Sequence, residues 1–186
     1  CKIAPCFYSP GNHEYRTGNF PYVMDAIRRS GATVLLNTYV SLTTPLGPII
    51  IAGCEDAERR VLEEPSYRQT PTLQKAFSRV KGSELFTVLL AHRPEYISLY
   101  RSLGFDLIVS GHTHGGQFRI PFLMDGLFAS GQGFFPAYAG GWYHYKRNDH
   151  IIGRGLATYP LIPRVFNPPE IVVIEIAGLS LSRKPE

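Results

Sequence analysis

The chain has 186 residues, 44% of them hydrophobic and 12% aromatic, which is enough to bury a core of ordinary domain size. Its formal net charge of +4 comes from lysines and arginines scattered along the sequence, so a nucleic-acid partner has no support. No apolar run approaches a transmembrane span and no signal-peptide pattern occurs; because the first residue is Cys1 and not Met, localisation (membrane-associated or cytoplasmic) does not follow from that silence.

Strands and helices alternate along the chain. Ile3 to Tyr8 is expected as a strand running into the turn "SPGNHE". A helix follows, with Asn19 as its cap, Val23, Ala26 and Ile27 on one face, and Gly31 as its stop. "TVLL" (33–36) is a strand, and 39–53 reads as a hairpin turning around Pro45 to Pro48. The mixed-charge stretch "EDAERRVLEEPSYRQ" reads as a surface excursion. Thr70 is expected to cap a helix with Pro71 in its first turn, and "LFTVLLAH" (85–92) is the strongest strand, ending on His92. Pro94 opens a helix that Gly104 closes, and Leu107 to Val109 is a short buried strand.

From Phe118 onward Gly, Pro and aromatics dominate. "YHYKRNDH" (143–150) reads as a solvated hairpin and "IVVIEI" (171–176) as the last strand. The odd set Cys1, Cys6 and Cys54 lacks a Cys-x-x-Cys spacing and reads as free core thiols. Alternation argues α/β, while the β-rich tail argues against a plain doubly wound sheet; a sheet-on-sheet core flanked by helices satisfies both.

The chemistry gathers after strands. In "SGHTHGGQ" (110–117), His112 and His114 are two residues apart, so an extended backbone points both imidazoles the same way. Neutral imidazole suits zinc, manganese or iron. "SPGNHE" and "AHRPE" also follow strands, and ligands bind outside the carboxyl ends of strands in α/β sheets. If those strands are neighbours, Asn12, His13, His92, His112 and His114 converge on one rim. His144 and His150 read as ordinary satisfied histidines.

"GNHE" (11–14), a histidine at 92 and "GHTH" (111–114), in that order, resemble the later motifs of the calcineurin-like metallophosphoesterases. "HRPE" (92–95), "GHTHGGQ" (111–117) and "NPPEI" (167–171) look like its branch of bacterial membrane-associated phosphohydrolases. The resemblance implies an α/β/β/α sandwich of two mixed sheets flanked by helices, and makes 1–186 the C-terminal part of a single metallophosphoesterase domain. It implies that Asn12, His92 and His112 ligate one metal and His114 the other, with His13 beside the phosphate protonating the leaving oxygen. The intact protein would hold two divalent ions (Mn, Zn or Fe) sharing a hydroxide that attacks phosphorus in line.

Two earlier family motifs, Asp-x-His and Gly-Asp-x-x-Asp, do not occur in the sequence. Without their carboxylates two ions stay uncompensated, so at most one metal is expected in this chain. The expectation is a fragment lacking N-terminal strands and helices, with little or no activity alone. Asp25 and Asp56 fall in a helix and in the surface excursion, away from the rim. The runner-up is a degenerate, non-catalytic metal-binding or scaffold member. A metallo-β-lactamase-type site fails because Gly115 to Gln117 stand where its acid and third histidine belong. The apolar stretch 119–143 beside the double-histidine loop reads in part as a lip for a lipid-linked phosphodiester or pyrophosphate at a membrane surface.

Overall fold

The computed structural model describes residues 3–64, 66, 68–158 and 163–177. Its centre is a six-stranded mixed sheet in the order β3-β4-β5-β6-β10-β9. Here β3 is Thr38–Thr44, β4 Gly47–Gly53, β5 Thr87–Leu90, β6 Leu107–Ser110, β9 Gly141–Tyr145 and β10 Asn148–Ile152. The inner strands β4, β5, β6 and β10 run parallel, with antiparallel β3 and β9 at the edges. The hairpin turn after Thr44 falls where Pro45 and Pro48 place it.

Alternation along the parallel strands sends side chains to two cores. On one face Ile50, Ala52, Leu89 and Ile108 pack with Leu73 of α4 (Gln69–Ala76), with Phe77, and with Ile97 and Tyr100 of α5 (Ile97–Ser102). Phe77 meets Phe105 edge-on at 5.3 Å between ring centres. Each such fully buried side chain is worth roughly 1.5–3 kcal/mol of transfer free energy. On the other face Ile51, Val88 and Leu107 pack against Leu35 and Phe7.

Phe7 belongs to β1 (Phe7–Tyr8), which pairs in parallel with β2 (Thr33–Val34). The neighbouring positions Tyr8 and Val34 face the opposite way, onto Tyr15 of α1 (Asn12–Arg16) and onto Phe20 and Met24 of α2 (Phe20–Arg29). Helices, six-stranded sheet, paired strands and helices therefore stack as α/β/β/α.

Several elements differ from expectation. β1 covers only the end of the 3–8 stretch, and α4 is capped by Arg68, two residues before Thr70. Residues 55–62 are no surface excursion: Glu55 and Asp56 are buried and α3 (Glu58–Leu62) follows them. The 143–150 hairpin exists as β9–β10, yet β10 is an inner strand whose Asn148 and His150 are buried; Asn148 accepts from Arg101 and His150 Nε2 meets Ser110, while His150 Nδ1, against the expectation of a satisfied histidine, has no partner among the described residues. Residues 171–176 form no strand; Ile174 packs on the sheet face while Val173 stays exposed, and no described neighbour offers them a ladder. Cys54 is a buried free thiol, Cys6 is disulfide-bonded and not free, and Cys1 lies outside the described residues.

Candidate active site at the strand ends

Three parallel-strand ends deliver the site. β1 runs through Ser9 to Gly11 into α1, whose first residue is the buried Asn12. β5 ends at Leu90, so His92 stands two residues beyond it; β6 ends at Ser110, just before His112. The two histidine loops are tied directly, Gly111 N–H donating to the His92 carbonyl at 3.1 Å.

His92 Nε2 lies 2.9 Å from Asn12 Oδ1 and 3.0 Å from His112 Nδ1. A side chain at position 11 would not permit this. A Cβ on Gly11 would stand 2.6–2.7 Å from the His92 ring, which explains the glycine before Asn12.

Both imidazoles are held neutral. Burial pushes His92 down to about 3, with His112 and Arg93 adding to the effect. His112 falls to about 4, again through burial first and then the charges of Arg93 and His114. His114 is lowered by burial and by Arg164. Lone pairs are therefore available at neutral pH, and His112 Nε2 is buried without a hydrogen-bond partner among the described residues.

The double-histidine loop is conformationally costly. His112, His114 and Gln117 have φ of 70°, 49° and 60°, a region that side-chain-bearing residues rarely adopt. Asn167 holds it there, donating from Nδ2 to the carbonyls of His114 at 2.7 Å and Gln117 at 3.1 Å. Its side chain fills the space over Gly115, where a Cβ would lie 2.2 Å from Asn167 Oδ1. Thr113 Oγ1 adds a buried bond to the Ala139 carbonyl at 2.7 Å.

Above these groups opens a cavity of about 400 Å³, in the range of small-molecule sites. Asn12, His13, Arg16, His112 and His114 line its polar side, and Phe118, Leu127, Phe128 and Phe134 its apolar side. Cavities of 530 and 560 Å³ lie elsewhere with no histidine in their walls, so chemistry, not size, singles this one out. The structure thus brings Asn12, His92 and His112 into contact and places His13 and His114 on the same cavity. Among the described residues, no three His, Cys, Asp or Glu side chains form a group that could hold a metal; the convergent set is two imidazoles and one amide oxygen.

Sequence reading missed the charged layer beneath. Arg93 Nε donates to both oxygens of Asp56 at 3.0 and 2.9 Å, and Arg93 Nη2 to Glu58 at 2.9 Å. Asp56 is fully buried; burial raises its carboxyl, and the Arg93 guanidinium pulls against that shift. Nothing local in "CEDAE" signals this, because the partner lies 37 residues away. Asn167 did carry a signal, as the first residue of "NPPEI".

The layered α/β fold thus gathers amide and imidazole groups at the ends of its parallel strands. The family profile of calcineurin-like phosphoesterases matches residues 1–116, and the chain belongs to that family. An uncharacterized metallophosphoesterase of Campylobacter jejuni is 34% identical over 173 residues, covering 92% of this chain and 42% of that protein. The uncharacterized metallophosphoesterase YkuE of Bacillus subtilis is 32% identical over 92% of this chain and 55% of its own length. Phosphodiesterase YaeI of Escherichia coli is 26% identical over 94% of this chain and 59% of its own. The chain spans about half the length of the curated relatives it matches. No solved structure matches it significantly.

Proposed function

We propose that the protein is a metal-dependent phosphohydrolase that cleaves a phosphodiester or pyrophosphate. The observation that carries this is the contact of Asn12 Oδ1, His92 Nε2 and His112 Nδ1 at 2.9 and 3.0 Å, with both imidazoles neutral. Two donors about 2.1 Å from one ion and at right angles to each other stand about 3 Å apart, so the spacing fits a shared cation. Asn12, His92 and His112 would hold it; bound there, a divalent ion polarises a phosphoryl oxygen and lowers the pKa of a water.

The protein's own groups do the rest. His13, exposed at the cavity mouth next to Asn12, protonates the leaving oxygen. Arg16 offers the phosphate a positive partner on the same wall. His114, across the cavity, is the ligand assigned to a second ion. Among the described residues no carboxylate lines the cavity, and this favours a second reading, a scaffold that binds one ion without turnover.

Opposite the polar wall, the aromatics point to a lipid-linked substrate at a membrane surface. Among the described residues no helix is long and apolar enough to cross a membrane.

Metal analysis and a phosphodiester assay on one sample of the intact protein test the proposal. His92→Ala and His112→Ala are expected to lose bound metal together with turnover. His13→Ala is expected to keep its metal while turnover falls by roughly 10²–10⁴-fold. Wild-type metal content in both ligand variants would overturn the ligand assignment, and bound metal without turnover in the wild type identifies the scaffold.

A further inference from the structure

We propose that Glu58 is a positioning residue that straps the helix bearing Asn12 and His13 to the loop bearing His92. Its two oxygens serve different masters: Oε1 accepts from Arg16 Nε at 2.8 Å and Oε2 from Arg93 Nη2 at 2.9 Å. Arg16 sits one helical turn after Asn12, on the same side of α1, and Arg93 follows His92 directly. One carboxylate therefore ties both partners of the 2.9 Å contact between Asn12 and His92.

Asp56 sets Glu58 in place. It accepts the Glu58 backbone N–H at 2.8 Å and both bonds of Arg93 Nε, closing a ring of Asp56, Arg93 and Glu58 at the start of α3. The Asp56 side chain is fully buried and those of Arg93 and Glu58 are only 11% and 15% exposed, so solvent screens the ring poorly. Glu95, 3.6 Å from Arg93, completes the acidic surroundings of that guanidinium.

Neutralising Glu58 leaves Arg16 and Arg93 without the carboxylate between them. Arg93 keeps Asp56, but glutamine offers one acceptor where the carboxylate offers two, so the half-exposed Arg16 loses its ion pair and stands as a like charge beside Arg93. The relief available is movement of α1 away from the His92 loop, which widens the gap between Asn12 and His92. This inference rests on Asn12, His92 and His112 as the ligand set.

The test compares wild type, Glu58→Gln and the double variant Arg16→Gln/Glu58→Gln. Amide hydrogen exchange of residues 12–16 is followed without metal, and Mn²⁺ binding is titrated by calorimetry well below each protein's Tm. Glu58→Gln keeps the side chain's size; its 12–16 amides are expected to exchange roughly tenfold faster and its Kd for Mn²⁺ to rise roughly tenfold. The double variant removes the stranded guanidinium and is expected to recover roughly half of the lost affinity on a logarithmic scale. Wild-type exchange and affinity in Glu58→Gln overturn the strap, as does a double variant that binds no tighter than the single one. If the wild type binds no Mn²⁺, the ligand reading fails, and the metal-free exchange still decides for or against the strap.

Discussion

The double-histidine loop (111–117) and the aromatic stretch that follows it (118–136) border the same cavity and are built in opposite ways. The loop places three non-glycine residues at positive φ and holds them with buried hydrogen bonds from Asn167, Thr113 and Gly111. The stretch also turns at positive φ, at Phe122 and Phe135, but leaves those side chains in solvent, joined by a hairpin of two-residue strands, β7 (Phe128–Ala129) and β8 (Gly133–Phe134). Strain that carries imidazoles is locked by side-chain clamps, whereas strain that carries phenyl rings is held by backbone bonds, Ile120 with Met124 around Phe122 and Phe135 with Leu127. A rigid chemical floor beneath an adaptable apolar wall is the consequence.

Breaking the clamp should produce the largest effect. Asn167→Ala removes one of two hydrogen bonds from each of the His114 and Gln117 carbonyls, which keep the backbone N–H of Gln117 and Val165, and opens space over Gly115. Two lost hydrogen bonds and a small cavity together cost about 2–5 kcal/mol. Denaturant unfolding should show that loss, accompanied by weaker metal binding; a midpoint within error of wild type would mean that the loop holds its own conformation.

Acid should loosen the floor next. His150, fully buried under the loop with Nε2 2.9 Å from Ser110 Oγ, is depressed by burial to about 4. The unfolded chain takes up that proton near pH 6.5 and the folded chain only near 4. Stability therefore falls as pH drops through that window and levels below it, by about 3 kcal/mol at 1.36 kcal/mol per unit. Midpoints measured from pH 7 to 4 for wild type and His150→Gln check this; parallel curves would remove His150 as the cause.

Much of the fold was legible because its signals are local. The β3–β4 hairpin follows from its prolines, α2 from Asn19 and its apolar spacing, and β6 from three apolar residues between glycines. The convergence of Asn12, His92 and His112 was legible for a similar reason, since each follows a strand. The charged layer was not. Glu55 and Asp56 look solvated in sequence; the burial of Glu55 is made tolerable by Arg59 four residues on together with the distant Asn37 and Tyr15, and that of Asp56 by Arg93, 37 residues away. The same holds for His150 in β10, which pairs with Ile108 of β6 and meets Ser110 40 residues back, a distance that periodicity cannot see. At 171–176 the apolar, β-branched run was a true signal of sheet-facing packing for Ile174, but a strand also needs a hydrogen-bonding edge, and sequence does not reveal which edges are free.

The smallest effect on stability should come from the aromatic wall, and it sharpens the contrast most. Phe134 and Phe135 are 69% and 71% exposed, so replacing both with serine removes little folded-state packing and should shift unfolding by no more than about 0.5 kcal/mol each. Association is another matter. A phenyl side chain moved fully from water into an apolar phase gains roughly 1.5–3 kcal/mol, so losing two should weaken partitioning onto phosphatidylglycerol-containing vesicles by at least roughly tenfold. Phe134 also lines the cavity, where it meets Phe128 edge-on at 5.4 Å, so the same variant should lose preference for lipid-linked over soluble phosphodiesters while keeping its metal. Vesicle sedimentation, paired hydrolysis assays and metal analysis on one preparation separate the outcomes. Unchanged partitioning with a marked loss of stability would make these rings part of the folded core, and the apolar wall would then have to be assigned to the soluble part of a substrate.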